Sequence, residues 1–417
     1  MSLRSAQCAH PFSSLTLSLN KGPQVSAAVK FSPGSRYALQ LDAKPQLLAS
    51  NLGEPIQVGG LIQYIFGDAK LPLKINDALI SHSPGIFEDS AFSASEESNL
   101  AEGLNKAGAM LVSHVESTCP GPKTLLNQLR IWERSSATAL AMKDASEQKP
   151  CLLLRDFADS ANKSLESIRV VCDVNTEPDL STWNMDALIK WISIIVQNQP
   201  NRRFIFGLSM SKKDFFLTLF DHSGIWVSEK HSIKNDALLL YRALAGCMLC
   251  SLSDIGYDPT VECFQNKPVW ISHSHTVDPR RITRYRVLKI LSISGEIVGR
   301  ATVCYLVCLG DNFYVINDSW VDISQEFTEF DILAFIKDKG IKSVPNLIAG
   351  SFVYVDGEVD RTADFIPKGA GNISSPHQVH IRLVLTPIGN KITEFASKEE
   401  LLSVLIDVVH GETSGFL

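Results

Sequence analysis

Between residues 203 and 228 the chain packs three apolar runs, 203–209, 215–220 and 225–228, separated only by Ser211-Lys212-Lys213-Asp214 and Asp221-His222-Ser223-Gly224. Connections this short leave no room for a crossover helix, so the three runs are predicted to pair as an antiparallel meander. The second turn carries Gly224 where a left-handed residue is expected. Helical patterns flank the meander. Over 179–199, Met185, Leu188, Ile192, Ile195 and Val196 recur at spacings of three and four, with Asp179 or Ser181 to cap the start and Pro200 to stop the helix. Residues 236–253 are nearly apolar all round, which predicts a helix buried between layers. Short buried strands are predicted at 151–154 and 167–172. The fold class expected is α+β.

Residues 1–60 are rich in Ser, Pro and Gly without sustained periodicity, apart from a short run at 37–41, and read as a loosely structured lead-in to a fold starting near Leu61. Residues 61–129 are helical in pieces around an acidic loop at 88–97, and 135–149 read as a polar linker or exposed loop. A length of 417 residues predicts two or three domains. With 45% hydrophobic and 20% charged residues, disorder, collagen and coiled coil are excluded as descriptions of the whole. The net charge of -6 argues against a nucleic-acid surface spread over the protein, so no nucleic-acid partner is expected. Arg242 interrupts the most apolar stretch, 237–252, so no membrane span is expected either. Residues 1–20 lack the compact apolar core of a secretory signal. Nine scattered cysteines, an odd number, point to a reducing compartment, cytoplasm or nucleus.

From Tyr285 the texture changes. Strands are predicted at 286–292, 301–309 and 313–317, then a helix at 324–338 started by Asp322 with Gln325 and stopped by Gly340, then strands at 351–355 and 380–385 and a helix at 398–410. This is the order of a protein kinase's small lobe, where two strands cover the phosphates, a third carries a Lys and the next helix carries its Glu partner. Residues 295–303, Gly-Glu-Ile-Val-Gly-Arg-Ala-Thr-Val, keep Val303 to pack on an adenine but not the full glycine spacing, so the loop alone reads as an ordinary strand turn. Where the third strand would offer Lys, it has Asn317 in Tyr314-Val315-Ile316-Asn317-Asp318. A neutral amide gives up the charge assistance that roughly doubles a hydrogen bond's strength. Glu329, beside the Phe330, Leu333 and Ala334 stripe, is placed to face that strand; taken by itself it is a solvated helix carboxylate.

Gly299-Arg300-Ala301-Thr302-Val303, Tyr314-Val315-Ile316-Asn317-Asp318-Ser319-Trp320 and Glu329-Phe330-Asp331-Ile332-Leu333 resemble the fungal-type protein kinase family, whose members read Gly-Arg-Gly-Thr, Val-Ile-Lys-Asp-Ser-Trp and an acidic helix in this order. Upstream, Gln199-Pro200-Asn201-Arg202-Arg203-Phe204 with Gly207, Phe220-Asp221-His222-Ser223-Gly224 (Asp-Arg-Ser-Gly being the usual turn) and Gly256-Tyr257-Asp258-Pro259-Thr260 resemble its characteristic region ahead of the kinase lobe. Gly389-Asn390-Lys391-Ile392, Phe395 and Glu400-Leu401-Leu402 are similar to its hinge and following helix. The resemblance implies an accessory α+β domain over 61–278 and a kinase-like small lobe, an antiparallel sheet plus one helix, over 279–417. It implies ATP and Mg²⁺ as cofactors, held weakly or not at all here, with nucleotide contacts at Gly299, Val303, Asn317, Glu329 and Leu385. No catalytic or metal-binding residue is assigned, because the sequence stops at Leu417 before the family's His-Arg-Asp loop and metal-binding Asp. The expectation is a protein kinase-like chain that does not transfer phosphate, a pseudokinase, with a non-enzymatic interaction or regulatory module as the alternative. An apolar underside including residues 383–388 is expected to self-associate or to meet a protein partner.

Other candidates are bland. Cys247 and Cys250 with His273 and His275 could suggest zinc, but cysteines at this spacing within an apolar helix read as core packing, and the CxxC lacks the strand-then-helix setting of a redox motif. Asp173-Val174-Asn175 ends a strand where related proteins often read Glu-x-Lys, and one carboxylate without its Lys is a poor nuclease centre. Arg280, Arg281, Arg284 and Arg286 read as a solvated linker face.

Overall fold

The computed structural model describes residues 54–71, 97–118, 129–135, 152–157, 164–175, 185–341, 344–368, 377–389 and 395–415. The expectations placed on 1–53, on the acidic loop up to residue 96, on the 136–149 stretch and on the Asp179 or Ser181 cap lie outside them.

The first half is built on an eight-stranded mixed sheet. Its strands are β1 (Ile56–Val58), β2 (Arg130–Arg134), β3 (Leu152–Asp156), β4 (Ile168–Val174), β5 (Phe204–Met210), β6 (Asp214–Asp221), β7 (Ile225–Ser228) and β8 (His231–Ser232). The order is β1-β7-β6-β5-β4-β3-β2, with β8 paired to β6. The meander is β5, β6 and β7, antiparallel as expected, with Phe204 opposite Asp221 and Phe220 opposite Ile225. The fold begins before Leu61, because β1 pairs in parallel with β7. Gly224 is not left-handed. The turn is held by Asp221, whose Oδ1 accepts from the backbone N–H groups of Ser223 and Gly224 at 2.7 and 3.0 Å, so an Asx-type turn removes the need for positive φ.

Both faces of this sheet are covered, which explains why every residue of β5 is buried. On one face Phe206, Leu208, Leu217, Leu219 and Trp226 pack against α1 (Leu61–Ile65), α2 (Glu97–Thr118) and α4 (Ala237–Leu249). Helix α4 runs as expected between layers, with Leu240, Tyr241 and Ala243 to Leu249 all buried. On the other face α3 (Asp186–Asn198) lays Leu188, Trp191, Ile192 and Ile195 over Leu153, Val171, Ile205 and Phe220. Gly207 lies under that helix, where a Cβ would come 2.7 Å from Leu188.

The second half is a seven-stranded sheet, ordered β14-β17-β13-β12-β11-β10-β9. It takes in β9 (Val261–Phe264) and β10 (Lys267–Ser274), ahead of the residue 285 at which the sequence texture changes. The others are β11 (Ile282–Ile293), β12 (Val303–Leu309), β13 (Asn312–Asp322), β14 (Asn346–Phe352) and β17 (Gln378–Thr386); β15 (Tyr354–Val355) and β16 (Glu358–Val359) form a separate hairpin. One face buries Val261, Ile271, Tyr285, Tyr305, Val307, Ile316 and Val384. The other carries α5 (Glu329–Asp338), whose Leu333 packs on Val321, Leu347, Leu383 and Leu385. The helix starts later than the Asp322 and Gln325 pairing predicts. Its capping box is Thr328 with Asp331, each side chain bonded to the other's backbone N–H, which satisfies two orphan donors at once. Gly340, at φ 64, follows its end. The last helix, α6 (Lys398–Gly415), leaves Leu402, Val404, Leu405 and Ile406 exposed.

Candidate functional site

Strand β13 runs between β12 and β17, and register fixes what it presents. Asn317 lies opposite Cys304 and Leu383, and Val315 opposite Leu306 and Leu385. Residues directly across an antiparallel pair share a face, so Asn317, Leu385, Cys304 and Leu306 share the face that α5 covers. The capping box places Glu329 at the first position of α5, above Asn317. Asn317 Nδ2 donates to Glu329 Oε1 at 3.2 Å, and Arg300, arriving from the loop, donates to Glu329 Oε2. The carboxylate expected to face a strand lysine is therefore shared by a neutral amide and a loop guanidinium. Asn317 Oδ1 is buried with no partner among the described residues, an arrangement worth about 1–3 kcal/mol against folding.

Two of the expected nucleotide contacts sit elsewhere. Val303 pairs with Asp318, one residue out of step with Asn317, and a single-residue step in a strand changes face. Its side chain packs with Val261, Tyr305 and Val307 on the far side of the sheet. Cys304 and Leu306 hold the positions on the Asn317 face; the period of two was available in the sequence, but the register that anchors it was not. Gly299, at φ 104, gives its N–H to the carbonyl of His222 at 2.9 Å. Nor is the 294–302 connection an ordinary strand turn. Ile297 is 4% exposed and joins the α3-side cluster of the first sheet, and His222 Nδ1 lies 2.8 Å from its carbonyl. Burial pushes the His222 imidazole down to about 4 despite the Ile297 and Arg202 carbonyls that favour its charge, so the ring is neutral and has one N–H for two acceptors.

The residues of the 199–260 motifs converge on the seam between the sheets. Arg202 Nε donates to Gln199 Oε1 and its Nη groups donate to the carbonyls of Ile168, Arg169 and Ile255, with the Tyr257 ring 3.7 Å away. Gly256, at φ 101, passes so close to Phe204 that a Cβ would lie 1.9 Å from its carbonyl oxygen. His380, stacked on Trp320, bonds Asp318 at 2.9 Å and Asp360 at 3.1 Å. Arg382 Nη2 bonds both Asp258 and Asp318, at 2.8 and 2.7 Å. Burial alone would lower the His380 pKa, but the Asp318 charge and the bonds to Asp318 and Asp360 prevail and raise it to about 9. Burial likewise opposes ionisation of Asp318, yet Arg382 and His380 hold it well below the usual carboxylate range. Ligand atoms of Asp258, Asp318 and His380 lie within 4.8 Å of one another, but the guanidinium between the two carboxylates holds the place a cation would take. Arg203, His380 and Arg382 balance Asp258, Asp318 and Asp360 in a buried ion network.

Cys247 and Cys250 are buried on the first half, their thiols pushed up to about 12 by burial, while His273 packs beside Tyr285 on β10. Arg284 pairs with Glu262 and lies over Trp270.

A sequence model of the family described as fungal protein kinase matches residues 153–416. The chain belongs to the fungal protein kinase family. No curated protein and no solved structure matches it. The family match reaches from β3 of the first sheet to α6, taking in the motif residues of the first half and the Asn317 strand of the second and leaving β1 and β2 outside it. A kinase family implies ATP with Mg²⁺, and the residues present do not fit that ligand: the strand offers Asn317 in place of a cation, Glu329 is already engaged by Arg300, and the Gly299 N–H is spent on His222. Among the described residues no helix is long and apolar enough to cross a membrane.

Proposed function

We propose that this fungal protein kinase family member does not transfer phosphate and works as a kinase-derived interaction module. The observation that carries the reading is Asn317 bonded to Glu329 where the family places its lysine. Phosphoryl transfer is catalysed almost wholly by positioning and charge, and loss of one preorganised contact costs about 10² to 10³ in rate. The loop held on His222 and Ile297 removes a second element, since its Gly299 amide is already bonded. Incubating the protein with Mg-ATP carrying a labelled γ-phosphate, alone and with generic protein substrates, tests this directly. No incorporation is expected; incorporation at a constant rate per molecule of protein would sink the reading. Saturating Mg-ATP at about 100 times its Kd would stabilise a nucleotide binder by about 2.7 kcal/mol, and no shift in Tm is expected.

Of the 383–388 segment expected to form an apolar underside, Leu383, Val384 and Leu385 are buried within the second sheet's two cores; the exposed apolar residues in this reading are Ile388 and, on α6, Leu402, Val404, Leu405 and Ile406, all of them more than 40% exposed. Self-association through these residues would appear in light scattering as a concentration-dependent mass, and a monomer at all concentrations counts against it.

A further inference from the structure

A cavity of about 290 Å³ opens between the first sheet and residues 355–365, remote from Asn317 in both its lining and its chemistry. Small-molecule pockets run from about 300 to 1,000 Å³, so this one suits a single side chain or a comparably small group rather than a nucleotide.

Three aromatic rings line it, Phe365 half-buried and Phe204 and Phe206 behind it with at most 8% exposed. The Phe204 ring lies 5.3 Å from Phe206 and 4.6 Å from Phe365, centroid to centroid. The protein already keeps a cation here, because the Arg203 guanidinium lies 5.6 Å from the Phe204 centroid and 5.1 Å from that of Phe365. Ring faces attract cations, and more strongly as water is excluded.

Five carboxylates line the cavity against three cations. Asp360 is neutralised by Arg203. Among the described residues no cation pairs with Asp356, Glu358 or Asp364, which line the cavity and are exposed. They are held in place by short-range structure: Asp356-Gly357, at φ 53 and 86, closes the β15–β16 hairpin in the conformation favoured for two-residue turns. The Tyr64 hydroxyl bonds the Asp364 carbonyl at 3.2 Å and ties the other side to the first half. An aromatic lining with surplus carboxylates selects a cation that brings apolar carbon with it.

We propose that this cavity binds the arginine or lysine side chain of a basic segment in a partner protein. Three exposed carboxylates are more than one side-chain cation can pair with, which favours a basic peptide over a free amine. The site does not depend on the phosphate chemistry of the Asn317 region.

The test uses the full chain and a short Gly/Ser peptide with one central arginine, titrated beside the same peptide carrying citrulline, which keeps the shape and loses the charge. The arginine peptide is expected to bind about tenfold or more tightly than the citrulline peptide. The variants Glu358→Gln and Asp356→Asn, the latter a residue that tolerates positive φ, are expected to weaken it further while leaving Tm unchanged. Equal binding of the two peptides, or undiminished binding by both variants, overturns the proposal. Free arginine amide binding as tightly as the peptide would overturn the choice of a protein partner.

Discussion

Arg203 and Asp360, separated by 157 positions, form a forked ion pair: Nη2 reaches one carboxylate oxygen at 2.8 Å, and Nε reaches both, at 3.1 and 3.0 Å. Asp360 is 1% exposed at its side chain and Arg203 9%, so this pair ties the start of the meander to the residue after the β15–β16 hairpin in a setting shielded from solvent. Removing one partner of a buried pair leaves an uncompensated charge, at a cost of about 3–5 kcal/mol. Arg203→Met is therefore expected to lower the urea midpoint steeply; a change under about 1 kcal/mol would mean that the pair is not made in solution.

His380 gives the seam a pH dependence. Its pKa rises from 6.5 to about 9 on folding, so its contribution is fully present below pH 6.5 and is lost as pH rises through 9. The difference corresponds to roughly 3 kcal/mol. Asp318 and Asp360 act in the opposite sense: their pKa values are lowered from 3.8, so their contribution is present above that pH and lost on acidification. Stability measured from pH 6 to 10 should fall on the alkaline side, and His380→Gln should flatten that fall.

Ala301 adopts φ 41, a conformation in which a Cβ is strained by about 1 kcal/mol or more. The family motif has glycine there, and Ala301→Gly is expected to raise Tm by about 2 °C. Calorimetry decides it, and a lowered Tm would show that the alanine is not strained.

The loop's attachment to the first half is also measurable. Ile297→Ala should cost about 2–4 kcal/mol if the side chain is buried in the α3-side cluster, and it should speed hydrogen exchange at the Gly299 amide. A cost typical of a surface site, within about 0.5 kcal/mol, would place the loop in solvent.

Asn317→Lys offers Glu329 a cation in place of an amide. The variant is expected to show a Tm shift with Mg-ATP that is not expected of the natural chain, and still to incorporate no phosphate, because the Gly299 amide remains bonded. If no shift appears, the held loop rather than the missing charge is what excludes nucleotide.

Elements with strong local patterning were legible in the sequence. The meander, helix α4 and the strand-strand-strand-helix order all depend on periodicity within one element, and each is present. Glu329 facing the Asn317 strand followed from helical spacing and is observed. What was not legible depends on pairing across distance. Val303 was read by its place after the glycines, yet it is the register with Asp318 that decides its face. The cap of α5 fell to Thr328 and Asp331 because two acceptable pairings lay within a few residues, and packing of Leu333 selects between them. Strand β9, with one buried and three exposed residues, and β10, which carries Trp270 and His273, offer too short or too mixed a pattern to reveal them.

Asp258 and the His222 turn, both within motifs that resemble those of the family, tie the first half to the second: Asp258 takes Arg382 of β17, and the His222 carbonyl takes the Gly299 N–H of the 294–302 loop. Joinery and the place expected for a phosphate therefore meet at one backbone amide. Freeing that amide for a ligand would loosen the seam in the same movement.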